Sequence, residues 1–89
     1  MAEFSLDQAE FDRAWSMAAG ESAAMDMAYR LAMEESARFF MARDDKTASV
    51  LRDFASKLLV ISNDCATEVR KFIAEDARRD LEIRKVVNN

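Results

Sequence analysis

The side chains that could carry chemistry in this chain are few. There is a single thiol, Cys65, three pairs of neighbouring acids, Glu34-Glu35, Asp44-Asp45 and Glu75-Asp76, and a set of bases, Arg70, Lys71, Arg78, Arg79, Arg84 and Lys85. Histidine is absent from the sequence, which removes the commonest general base, the usual zinc ligand and the Glu-x-x-His pairs of di-iron helical bundles. Acids adjacent on a helix point about 100° apart, so none of the three pairs is set to share a proton or a metal ion. They read as solvated helix faces and, at Asp44-Asp45, as a turn that caps a helix. A buried thiol with no base or cation beside it behaves as a small apolar residue, so Cys65 reads as packing, with a reactive thiol as the alternative. The chain is therefore expected to have no catalytic residues, no cofactor, no metal and no enzymatic activity.

The bases are interleaved with Glu68, Glu75, Asp76, Asp80 and Glu82, which makes that segment a helix of mixed charge. The net charge is −4. Residues 1–45 hold ten acids and four bases, whereas residues 46–89 hold seven acids and nine bases, so the two halves should attract one another. An acidic chain is poorly suited to sequence-independent DNA binding, which lays many Lys and Arg along phosphates. Nucleic-acid association is the alternative functional reading, and it would use Arg70, Lys71, Arg78, Arg84 and Lys85.

The elements that position these groups follow from composition and period. Eighty-nine residues with no Pro and one Gly leave little material for turns, so a single domain of few, long helices is expected. From Lys46 to Ile73, Val50, Leu51, Phe54, Leu58, Ile61, Cys65, Val69 and Phe72 recur at steps of three and four, the stripe of an amphipathic helix. In the first half Phe4, Phe11, Trp15, Ala18, Ser22, Met25, Tyr29, Met33, Ser36 and Phe40 hold one helical phase. Ser5 is expected to cap this helix with Gln8 three residues on, and Gly20 is read as tolerated inside it. Ser62-Asn63-Asp64 are poor helix formers, but the second stripe keeps phase across them, so that helix is expected to continue.

The concentrated polar break Arg43-Asp44-Asp45-Lys46-Thr47 predicts a hairpin turn. The expected layout of this all-α chain, 1–89, is a helix over about 6–43, a turn at about 44–46 and a helix over about 47–86. Folding there pairs residues whose numbers add up to about 90: Phe40 with Val50, Ser36 with Phe54, Met33 with Leu58, Tyr29 with Ile61, Met25 with Cys65 and Ala18 with Phe72. Phe4 and Leu6 fall opposite Ile83, Val86 and Val87. Past Ile73 the stripe carries Asp76, Arg79 and Asp80, and Arg79 is expected to bond across to Asp7 or Glu10 and fix the register.

A long antiparallel helical hairpin leaves apolar residues off its seam: Met17, Met27 and Leu31 on the first helix, Leu59, Ile73 and Leu81 on the second. Two helices bury little, so these six are expected to form a second interface that joins two hairpins in a homodimeric four-helix bundle or receives a foreign protein of unknown identity. The longest run of large apolar residues, Leu58–Ile61, is far short of the ~20 a bilayer needs. The acidic N-terminus is unlike an export signal, and a lone cysteine fits a reducing compartment, so a cytoplasmic protein is expected. The functional expectation is an interaction module, such as an adaptor, chaperone or inhibitor, acting through a helix face.

Overall fold

A computed structural model describes residues 5–88. Two helices, α1 (Gln8–Met41) and α2 (Asp45–Asn88), run antiparallel as a hairpin of 68 × 22 × 17 Å. The radius of gyration is 19.3 Å, against about 12 Å for a compact chain of this length. Little of the hairpin can therefore be interior. Both helices run unbroken through Gly20 and through Ser62-Asn63-Asp64.

α1 starts at Asp7 rather than Ser5. The Asp7 side chain accepts the Glu10 backbone N–H at 2.8 Å, and this carboxylate also complements the helix dipole. The hairpin turns at residues 42–44, two positions earlier than expected. The Arg43 N–H donates to the Phe40 carbonyl and the Asp44 N–H to that of Phe39, the paired bonds that close a helix around one left-handed residue. That residue is Arg43, at φ 65°. Asp44 then caps α2, accepting from the Thr47 N–H at 3.1 Å and the Thr47 hydroxyl at 2.8 Å. One residue ends the first helix and the next begins the second, which leaves no slack between them.

That tight connection explains where the seam lies. The seam runs through the buried and half-buried residues Phe11, Trp15, Ala18, Ser22, Met25, Tyr29, Ala32, Ser36 and Phe39 on α1, and Ala48, Leu51, Ala55, Leu58, Ser62, Cys65, Val69, Phe72, Asp76 and Arg79 on α2, with half-buried Ala14, Asp26, Ala28, Glu35, Thr47, Ala66 and Glu75 beside it. Both series alternate steps of three and four, the period of a coiled coil. Near the turn the contacts are made by small residues. Ala32, Ala55 and Leu58 form the buried cluster, with Met25, Ala28 and Tyr29 packed on it. The buried Ser36 hydroxyl donates to the Ala48 carbonyl at 2.7 Å, a bond that requires the backbones to come close.

The expected seam holds at Phe11, Trp15, Ala18, Ser22, Met25, Tyr29, Ser36, Leu51, Leu58, Cys65, Val69 and Phe72, and departs from expectation at five positions. Val50, Phe54, Ile61, Met33 and Phe40 are exposed, and the alanines Ala32, Ala48 and Ala55 let the helices approach where the three-residue turn brings them together. Ala48, Ala55, Ala32 and Phe39 take the places expected for them. Cross-helix contacts join Ser36 to Ala48, Phe11 to Phe72 and Leu6 to Arg79, so the paired numbers add up to 83–85 rather than 90.

At the open end Phe11 is fully buried, with ring centroids 5.8 Å from Trp15 and 5.6 Å from Phe72. Phe72 was expected against Ala18 and meets Phe11 instead. Leu6 is half-buried, while Ile83, Val86 and Val87 are exposed. Phe4, expected beside them, lies outside the described residues.

Candidate functional site: two flanks of the hairpin

The phase of the seam decides what each flank carries. Residues that follow a seam position by one lie about 100° round the helix, and those that precede it lie on the other side. In an antiparallel pair the preceding residues of both helices share a flank, as do the following ones. A shallow groove lined by Ala18, Glu21, Cys65 and Glu68 marks the preceding flank, and one lined by Ala19, Asp26, Ser62 and Ala66 marks the following flank.

The preceding flank carries Ala14, Glu21, Ala28 and Glu35 from α1 and Thr47, Phe54, Ile61, Glu68, Glu75 and Glu82 from α2. Its α2 side is apolar at Phe54 and Ile61 and acidic from Glu68 to the open end, while Glu35 of α1 stands beside the turn. Val50 and Leu31 adjoin its apolar half, each one turn from a flank residue on its own helix. The following flank carries Asp12, Ala19, Asp26, Met33 and Phe40 from α1 and Arg52, Leu59, Ala66, Ile73, Asp80 and Val87 from α2.

All six residues expected at a second interface are exposed, from Leu59 at 39% to Met17 at 67%. They do not make one face. Leu59 and Ile73 lie on the following flank, Met17 and Leu31 towards the preceding one, and Met27 and Leu81 on the outer backs of their helices. Met33, Phe40, Val50, Phe54 and Ile61 join the exposed set, having been assigned to the seam by size. The signal that would have found them is the alanine series Ala48 and Ala55, which runs one position away from Phe54 and Ile61.

Three of the bases expected to meet nucleic acid are tied to acids on their own helix. Lys71 pairs with Glu68 at 3.2 Å, Arg78 with Glu75 at 2.7 Å and Arg84 with Asp80 at 3.1 Å. Arg70 donates to the Thr67 hydroxyl at 3.0 Å. Lys85 is exposed near the end of α2. Arg79 behaves differently. Its side chain, 15% exposed, bonds Glu75 at 2.8 Å, crosses to the Leu6 carbonyl at 2.8 Å and to Gln8 at 3.3 Å, and covers the Phe11 ring. It fixes the register as expected, but through a backbone carbonyl and an amide rather than through Asp7 or Glu10. The bonds from Arg78 and Arg79 push the Glu75 carboxyl down to about 2.

Cys65 is half-buried in the seam, and its groove is lined by Glu21, Asp64 and Glu68 with no base among the lining residues. Among the described residues, no three Cys, Asp or Glu side chains are placed to hold a metal ion, and no helix is long and apolar enough to cross a membrane. Compared with protein-family models, curated proteins and solved structures, the chain matches none of them.

Proposed function

We propose that this chain is a protein–protein interaction module, with no reaction of its own, that works through an apolar helix face and pairs first with a second copy of itself as a four-helix bundle. One observation carries the reading. Among the described residues, three of the five buried apolar residues of the hairpin are alanines, Ala32, Ala48 and Ala55, with Phe11 and Leu58. Meanwhile Phe54, Ile61, Leu31, Met33, Phe40, Leu59 and Ile73 stand exposed. A two-helix seam of small residues buries too little apolar surface to offset the ordering of some eighty residues, so the larger side chains outside it are the natural source of further burial. Exposed apolar surface on this scale marks interaction faces, and here it is divided between the two flanks of the hairpin.

A role on nucleic acid draws less support, because Lys71, Arg78 and Arg84 each spend their charge on an acid of α2. The free thiol of Cys65 suits a reducing compartment, and we place the protein in the cytoplasm on that ground.

Light scattering behind size exclusion tests the reading. The expected mass is about twice the 10.1 kDa of one chain, with a melting temperature that rises with protein concentration. A folded monomer with a concentration-independent melt would remove the self-association, and the exposed residues would then be left to a foreign partner.

A further inference from the structure

On the following flank, five successive residues of the α2 row, which Val87 continues, fall at seven-residue steps: Arg52, Leu59, Ala66, Ile73 and Asp80. Read from its middle outwards, the row is small, then apolar on both sides, then a base at one end and an acid at the other. Leu59 and Ile73 are 39% and 52% exposed, and Ala66 lines the shallow groove between the helices with Ala19 and Ala23.

We propose that this row is the contact between two copies of the chain, packed α2 against α2, antiparallel, about a two-fold axis at Ala66. The inference rests on the self-association proposed above and specifies its surface and register. A two-fold interface is made of one patch used twice, so each feature must find its complement within the same patch. Inverting the row about Ala66 sets Leu59 against the partner's Ile73, and Arg52 against the partner's Asp80, each twice. Ala66 meets its own copy where helices packed through small residues approach to about 8 Å.

The row one turn away, Ser56, Asn63, Arg70 and Ala77, inverts about a point half a residue beyond Ala66. Ser56 falls opposite the partner's Ala77 and Asn63 opposite the partner's Arg70, so no like charges face each other. A surface meant for a foreign protein has no reason to carry its own complement at inverted positions. The other flank lacks this property. Inverting Thr47, Phe54, Ile61, Glu68, Glu75 and Glu82 about their middle sets Ile61 against a carboxylate and Phe54 against another. The Asp80–Arg84 pair is exposed on both sides, so Asp80 can accept a second base without first being dug out of a buried pair.

Charge reversal and cross-linking test the register on the full chain. Asp80→Arg alone sets two arginines together at both ends of the contact and should weaken the dimer about tenfold, as should Arg52→Asp alone. The two changes in one chain should restore the affinity to within about threefold of the native value. Separately, Ala66→Cys in a Cys65→Ser background puts a thiol on the axis, and mild oxidation should link the two chains covalently. All four substituted chains are checked for helicity by circular dichroism. A dimer that is not restored by the double reversal, or that does not cross-link through position 66, overturns this register while the self-association stands. A chain that stays monomeric overturns both.

Discussion

The guanidinium of Arg79, near the end of α2, lies 4.2 Å from the centre of the Phe11 ring at the start of α1. The same group donates to the Leu6 carbonyl and to Glu75, so a charged side chain closes the open end of the seam. It does so without leaving its charge alone. Its planar face covers the ring while its edge is used for hydrogen bonds, a division of labour that an ammonium group has no geometry to copy.

Arg79→Lys should therefore destabilise the hairpin by about 1–2 kcal/mol although the charge is kept. Phe11→Ala, which empties a fully buried site, should cost about 3–5 kcal/mol. Urea unfolding followed by circular dichroism would measure both. A neutral Arg79→Lys would mean that charge alone holds the end closed.

Acid should loosen the same end. Glu75 is held down to about 2, first by its bond to Arg78 and then by that to Arg79, and Asp7 is lowered chiefly by the Glu10 backbone N–H. A carboxyl that is more acidic in the folded chain adds stability that is whole above its unfolded value and is lost as pH falls through its folded one. For Glu75 that window runs from 4.5 down to about 2. Stability measured across the window should fall less steeply in Glu75→Gln than in the native chain.

Near the turn the sensitive group is neutral. Ser36→Ala removes the donor to the Ala48 carbonyl in a buried site and should cost about 1 kcal/mol. Ser36→Leu should cost more, because a large side chain must push apart helices that are tied by three residues. Phe54→Ala, by contrast, acts on a side chain 53% exposed in the hairpin. A loss near the 3–5 kcal/mol of a buried phenylalanine, measured as about that size, would mean that Phe54 is covered in solution.

Two substitutions should stabilise. A Cβ at Gly20 would meet nothing within 4 Å, so Gly20→Ala should gain up to about 1 kcal/mol from helix propensity. Arg43 holds the left-handed conformation at φ 65°, where glycine has no Cβ to strain, so Arg43→Gly should gain about 0.5–1 kcal/mol. Thermal melts of the two single variants and their combination should be additive, since the sites lie far apart on α1 and in the turn.

The two long helices, their antiparallel arrangement and the polar turn could be read from stripe period and from the absence of Pro. The continuity through Gly20 and Ser62-Asn63-Asp64 could be read as well, because apolar phase was kept across both. What could not be read was which residues fill the seam in the half nearer the turn, whereas Phe11, Trp15, Tyr29, Leu58, Cys65 and Phe72 hold the seam positions expected of them. A periodic reading weights residues by size, and so it drew Val50, Phe54, Ile61 and Met33 into the seam. The tight turn instead selects Ala48, Ala55 and Ala32, since closeness favours the small. A shift of one residue is about 100° of rotation, enough to put Phe54 and Ile61 on a flank beside seam residues Ala55 and Ser62. For that reason the exposure of Leu59, Ile73 and Leu31 was foreseeable, while the flank each belongs to was not.

The position of the alanine cluster beside the turn also bears on the order in which the hairpin closes. Ser36 and Ala48 are separated by 12 residues, whereas the Leu6–Arg79 clasp spans 73. Closing the longer span directly costs about 1.6 kcal/mol more in chain entropy. Zipping from the turn avoids that cost by adding one short step at a time. The clasp is then the last contact made and the first to fray, which sets a gradient of amide-exchange protection falling from Ala55 towards Phe72 and beyond. The end that carries aromatic rings and charge is the one that opens to solvent, and the end built of alanine is the one that holds.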